Sequence, residues 1–228
     1  MSHFVVAVFH REDQDVDELL MPYDENLEVE PYVLYTKEEA IDFAKSNYNL
    51  EGKTDEECWE FMTDGFKTDD EGNIYSSYNP NAKWDYYCVG GRWSGMLKTK
   101  NGEADEARVK DIDFTPNQKS YERALRFWDV IVEGKPKKED ENFFTIYKPE
   151  YYADIYGDRE TYAKAISSFQ TFAVILPDGT WLEEGHMGCF GISSSTSDDV
   201  REWSANYKKN FIDTADPEWI LSIVDCHI

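Results

Sequence analysis

The order of apolar and polar positions sorts this chain into short strands and amphipathic helices. HFVVAVF, residues 3–9, is an unbroken β-branched and aromatic run that predicts a buried strand, and EWILSIVDCHI, residues 218–228, predicts a second. VLYTKEEAIDFAKSNY predicts a strand end and a helix, with Thr36 as N-cap and Glu39 completing a capping box. KTDEECWEFMTDGF repeats that signature with Thr54 and Glu57, and aligns Cys58, Phe61 and Met62 on one helical face. SYERALRFWDVIVEG predicts a helix with Ala124, Leu125, Trp128, Ile131 and Val132 on one side and Gly134 as its stop.

DRETYAKAISSF and TSDDVREWSANYKKNF predict two more helices, the latter capped by Ser197 or a neighbour. Two hairpins follow from turn chemistry: Asn-Gly within SGMLKTKNGEADEARVKDIDF, and Pro-Asp-Gly within TFAVILPDGTWLEEG. MPYDENLEVEPY is too rich in turn formers for regular structure, KPKKEDEN predicts a flexible charged loop, and residues 143–157 show no assignable period. The expected fold is α+β: a single domain over residues 1–228, with a mostly antiparallel sheet packed against several helices. Residues 119–168 are a candidate helical insertion.

Charge changes this picture. The chain carries 47 acidic and 23 basic side chains, a formal net charge of −24, and 15% aromatic residues. Aromatic content of that size argues for a folded core rather than disorder. The charge disfavours direct nucleic-acid binding and anionic membranes. It fits either plain solubility or an acidic surface that competes with nucleic acid for a basic host protein. FVVAVF is too short for a secretory leader or a membrane span and is followed by charges. Four scattered cysteines with no CxxC pair then suit reduced thiols, and a cytoplasmic setting is expected.

Against that acidic background, YNPNAKWDYYCVGGRWSG, residues 78–95, stands out. Between Asn79 and Lys100 lie four basic residues and a single acid, Asp85. Asn79-Pro80-Asn81 is a turn signature in which an Asx-turn closes. Gly90-Gly91 permits positive φ or a close backbone approach. Arg92 supplies a planar fork for phosphate or carboxylate, Lys83 a point charge, and Trp84, Tyr86, Tyr87 and Trp93 offer faces for stacking. The set Asn79, Asn81, Lys83, Trp84, Asp85, Arg92 and Trp93 suits a small anion bearing a flat ring. The plain alternative has the aromatics in the core and Arg92 paired with Asp85 or another carboxylate.

A second candidate sits at the borders of the first and last predicted strands. If these are antiparallel neighbours, His3 meets His227, and alternation puts Asp225 on the same face as His227 with Cys226 opposite. His3, Asp225 and His227 then make a His–Asp acid–base set or, less favoured, a two-His, one-carboxylate site for a divalent metal, with His186 as a candidate fourth member. Asp24, Glu25 and Asn26 form an acidic turn suited to a cation or to plain solvation. The glycines of EEGHMGCFG allow either a close backbone approach to a ligand or a tight loop. GxSxG, Walker A and Rossmann signatures are absent from the sequence.

Taken together, MSHF, PYDENLEVEPY, YNPNAKWDYYCVGGRWSG, DGTWLEEGHMGCFG and VDCHI resemble an uncharacterised family of tailed-phage and prophage proteins. The resemblance runs from the first residue to the last, leaving roughly residues 100–165 without a counterpart. It implies a phage-encoded accessory protein of the bacterial host cytoplasm and carries no settled activity. Similar members often have Glu and an aromatic where this chain has His186 and Cys189, which favours the Asn79–Trp93 region over His186. The expected function is binding of a small anionic, nucleotide-like ligand, either sequestering or hydrolysing a host signalling nucleotide. The alternative is an acidic nucleic-acid mimic that inhibits a host defence protein.

Overall fold

The computed structural model describes residues 2–188 and 192–228. Its fold is α+β with mostly antiparallel strands, and its contacts divide into two compact units. One comprises Met1–Met21 with Trp84–Ile228, the other Pro22–Lys83. The larger unit begins with β1 (His3–His10) and a short helix α1 (Val16–Leu20). The smaller unit contains β2 (Tyr32–Tyr35), α2 (Lys37–Asn47), α3 (Asp55–Thr63), β3 (Lys67–Thr68) and β4 (Ile74–Ser76). The larger unit resumes with β5 (Tyr86–Val89), β6 (Leu97–Thr99), β7 (Gly102–Ala104) and β8 (Glu106–Arg108). Next come α4 (Gln118–Phe127), α5 (Pro149–Tyr156), α6 (Arg159–Ser167), β9 (Ala173–Ile175), β10 (Trp181–Glu183), α7 (Ser197–Tyr207) and β11 (Ile220–His227).

The two strands expected from apolar runs form the centre of the main sheet, ordered β10-β9-β1-β11-β5. β1 and β11 pair antiparallel along their full length, from His3 opposite His227 to His10 opposite Ile220. Only the β1–β9 pairing is parallel among those of this sheet. Ala7, Phe9, Leu221 and Ile223 pack with Val174, Tyr207 and Phe211 in the core. Trimming a buried aromatic such as Phe9 to alanine costs about 3–5 kcal/mol. β5 and β8 share one edge of β11, β5 along 224–227 and β8 along 220–222. At the junction Ile223 donates its N–H to the Asp105 carbonyl and accepts from Gly90 N–H, 2.8 and 2.7 Å. That junction positions the candidate site.

Local signals placed the helices well. Both capping boxes form, at Thr36/Glu39 and Thr54/Glu57, and Thr196, the neighbour of Ser197, caps α7 with a third. The expected Cys58–Phe61–Met62 face is only partly realised: Cys58 is buried, Met62 half-buried and Phe61 exposed, its ring 5.2 Å from Tyr48. α4 runs on into a π turn at Trp128–Val132, which buries Asp129 beside Trp128. Arg159, Lys135 and Arg126 meet that carboxylate at 2.9, 2.9 and 3.4 Å. Hydrogen bonds from Arg159 first, then Lys135, hold Asp129 down at about 2 against the opposing effect of burial. The charged loop expected to be flexible is therefore tied to α4 through Lys135, and through Glu141 on Arg126 at 2.7 Å. Among the described residues, no helix is long and apolar enough to cross a membrane.

Candidate functional site

The end of the central strand pair gathers two imidazole–carboxylate pairs. His3 Nδ1 lies 2.7 Å from Asp225 Oδ1, and His227 Nδ1 lies 2.5 Å from Asp85 Oδ1. Both carboxylates accept from Nδ1–H, which in a neutral ring leaves Nε2 as the acceptor. Tyr86 Oη is 3.2 Å from His3 Nε2, so its hydroxyl donates there. The two imidazoles meet edge to face at 5.0 Å, and Tyr86 stacks on His227 at 4.5 Å. The expected meeting of His3 and His227 occurs because β1 and β11 are antiparallel partners. Asp85 reaches His227 because its own N–H donates to the His227 carbonyl at 2.9 Å, one residue before β5 begins.

His227 Nε2 is buried and has no hydrogen-bond partner among the described residues. No ligand reaches that nitrogen in this arrangement, so His227 acts on its surroundings through Asp85 and Tyr86. His3, its side chain one-tenth exposed and backed by Asp225, is the imidazole whose outer nitrogen meets the exposed Tyr86. Cys226 points away from this face and is buried, which pushes its thiol well up and removes it as a nucleophile.

The twin glycines wrap the protein's own carboxylates. Gly90 and Gly91 have φ of 74° and 53°, a region where side chains are strained. A Cβ on Gly91 would lie 2.5 Å from Asp225, and one on Gly90 2.3 Å from Asp105. Arg92 N–H donates to Asp225 Oδ2 at 2.9 Å, while Gly95 N–H and the Ser94 hydroxyl donate to Asp105 at 2.6 and 3.1 Å. A loop whose N–H groups converge makes an anion cradle. Here the cradled anions are Asp225 and Asp105. The Arg92 side chain is left over: it is exposed and makes no hydrogen bond or ion pair with the described residues.

The seven residues expected to bind a ligand fall in both units. Asn79, Asn81 and Lys83 belong to the smaller, and Trp84, Asp85, Arg92 and Trp93 to the larger. Asn79 is buried and donates both amide hydrogens to the Pro22 and Asp24 carbonyls, at 2.8 and 2.9 Å. Its Oδ1 accepts from Asn81 N–H at 3.0 Å, closing the expected Asx-turn; Asn79 shapes the chain and has no hydrogen left to donate to a ligand. Asn81 is exposed, and half-buried Lys83 donates its N–H to Tyr23 at 2.8 Å. Trp84 is buried with its indole N–H on the Leu20 carbonyl at 3.2 Å, so it offers no face for stacking. Half-buried Trp93 packs on the core. Asp85 pairs with His227 rather than with Arg92.

The metal alternative finds no support, because among the described residues no three His, Cys, Asp or Glu groups converge on a metal position. His3 and His227 instead use separate carboxylates. His186 is exposed, 3.7 Å from Glu183. Gly185 lies close to its own chain, where a Cβ would meet Ser195 backbone at 2.7 Å, which accounts for that glycine without a ligand. Cys189 and Gly191 lie outside the described residues. Asp24 closes a turn by accepting from Asn26 N–H at 2.8 Å. Tyr86 and Asp105 are the residues sequence reasoning undervalued. Alternation along β5 points to Tyr86, whereas nothing local marks Asp105. Compared with known protein families, curated proteins and solved structures, the chain gives no match.

Proposed function

We propose that this chain is a phage-encoded accessory protein that takes a small anionic, nucleotide-like ligand at the β11 edge of its larger unit, in the host cytoplasm. One observation carries the reading: in a chain of net charge −24, the Arg92 guanidinium is exposed and unpaired among the described residues. Its own N–H is fixed to Asp225, the carboxylate that also holds His3. A single carboxylate thus locates a free cation and an imidazole together. Arg92 neutralises the ligand's phosphate, exposed Tyr86 supplies a ring face, and His3 moves the proton. Asp225 holds His3 in the tautomer whose Nε2 accepts, and His227–Asp85 supports Tyr86 from behind. The His–Asp arrangement favours hydrolysis over simple capture.

The test is incubation of the intact protein with cyclic and linear nucleotides, followed by chromatography before and after heating. New products mean hydrolysis, and intact ligand released by heat means capture. Neither outcome across the panel, or behaviour unchanged in Arg92→Ala, removes the proposal. A pull-down of a basic host protein that survives only in low salt would then favour the acidic mimic, since exposed charges are screened within about 8–10 Å near physiological ionic strength.

A further inference from the structure

A separate cavity in the larger unit has a lining free of carboxylates. It encloses about 290 Å³ between α6 and α7, with Tyr156 of α5 on its wall. Its cationic lining is Lys164, Arg201 and Lys208, and none of its lining residues is Asp or Glu. In a chain with 47 carboxylates none lines this space, and the acids that pair with Arg201 and Lys208 stand outside its wall. The interior is apolar and aromatic, with Tyr156, Phe169 and Tyr207 contributing rings, Phe169 and Tyr207 edge to face at 6.0 Å.

Helical spacing builds the cavity. Thr161, Lys164, Ala165 and Ser168 recur at i, i+3, i+4 and i+7, as do Arg201, Ser204, Ala205 and Lys208. Each set puts small residues beside a cation, so that space and charge coincide. The three cations are not equivalent. Arg201 is held by the Asp154 and Ile155 carbonyls in the last turn of α5, at 2.7 and 3.0 Å, and by Asp198. Lys208 pairs with Asp213. Lys164 Nζ has no hydrogen bond or ion pair among the described residues. A further, independent sign comes from Ser204, whose Oγ is buried on this wall without a hydrogen-bond partner among the described residues. Buried hydroxyls are ordinarily satisfied, and an acceptor in the adjoining space would satisfy this one.

We infer that the α6–α7 cavity is a binding site for a compact, ring-bearing carboxylate, whose ring lies among Tyr156, Phe169 and Tyr207 and whose charge meets Lys164. The volume lies at the lower edge of the ~300–1,000 Å³ common for ligand pockets, which selects a single-ring ligand over a nucleotide. This site is independent of Arg92.

The experiment titrates the full chain with benzoate and phenylacetate, and with the neutral isostere benzamide, read by saturation-transfer NMR and calorimetry. At least one acid binds saturably, and benzamide binds about tenfold more weakly or worse. Lys164→Gln weakens the acid by about tenfold, Ala205→Trp fills the cavity and abolishes binding, and Arg92→Ala leaves it unchanged. No saturable binding of either acid overturns the inference, as do equal binding of benzamide, indifference to Lys164→Gln, or loss in Arg92→Ala. If the Ala205→Trp protein does not fold, the Lys164→Gln titration and the benzamide comparison decide alone.

Discussion

The two ends of the β1–β11 pair each hold buried or nearly buried histidine, and they use it in opposite ways. At one end His10 Nδ1 meets the Arg11 carbonyl at 3.1 Å and Nε2 meets Ser222 Oγ at 2.9 Å, while Ser222 donates to Glu106 at 2.7 Å. Both ring nitrogens of His10 and the Ser222 hydroxyl thus have partners inside the fold. At the other end, among the described residues, His227 Nε2 and the Arg92 side chain have no partner, and His3 reaches Tyr86 at the surface. The difference teaches that residue type does not separate structural from chemical histidine. The last partner does: His10 Nε2 ends on Ser222, itself fixed to Glu106, whereas His3 Nε2 ends on the hydroxyl of exposed Tyr86, a partner at the surface that a visitor can replace.

The comparison breaks most sharply at Gly91. Gly91→Ala adds a Cβ against Asp225 at a positive φ, and destabilisation of about 3 kcal/mol is expected in denaturant titration. An unchanged midpoint would mean the loop can move away from Asp225. His3→Gln comes next: turnover of any nucleotide substrate should fall about 100-fold, with capture retained. Equal loss of capture would make His3 a contact rather than a proton carrier.

Asp129 provides a saturated carboxylate for reference. Because its folded value is lowered to about 2, the unfolded chain takes up that proton more readily. Its contribution is therefore complete above about pH 4 and is lost as pH falls toward 2, on the order of 1–2 kcal/mol. Asp129→Asn should flatten that part of the stability–pH curve. Ser222→Ala breaks the engaged end and should cost about 1 kcal/mol without altering nucleotide handling. Smallest of all, Arg92→Ala should shift stability by less than about 0.5 kcal/mol while removing ligand binding, the signature of a residue held for something outside the fold.

Much of this was legible along the chain. Asn-Gly and Pro-Asp-Gly marked the two hairpins, now β6–β7 and β9–β10. α1 is too short, at five residues, to show a period, although Asp15 caps it. α5 shows no period because its tyrosines mask the pattern, although Pro149 stands at its start. Within the site, strand alternation was enough to bring His3, Asp225 and His227 together. It did not reveal that Asp85 would take His227, or that Asp225 and Asp105 would fill the glycine loop.

The sequence by itself determined the central strand pair, the capped helices, the charge and the meeting of His3 with His227, because periodicity and capping act over a few residues. Tertiary structure alone decided which acid each histidine takes, that Trp84 is enclosed while Arg92 stays open, and that Lys164, Arg201 and Lys208 face one hollow. Those outcomes depend on groups far apart in sequence competing for the same partner, and only the folded geometry ranks the competitors.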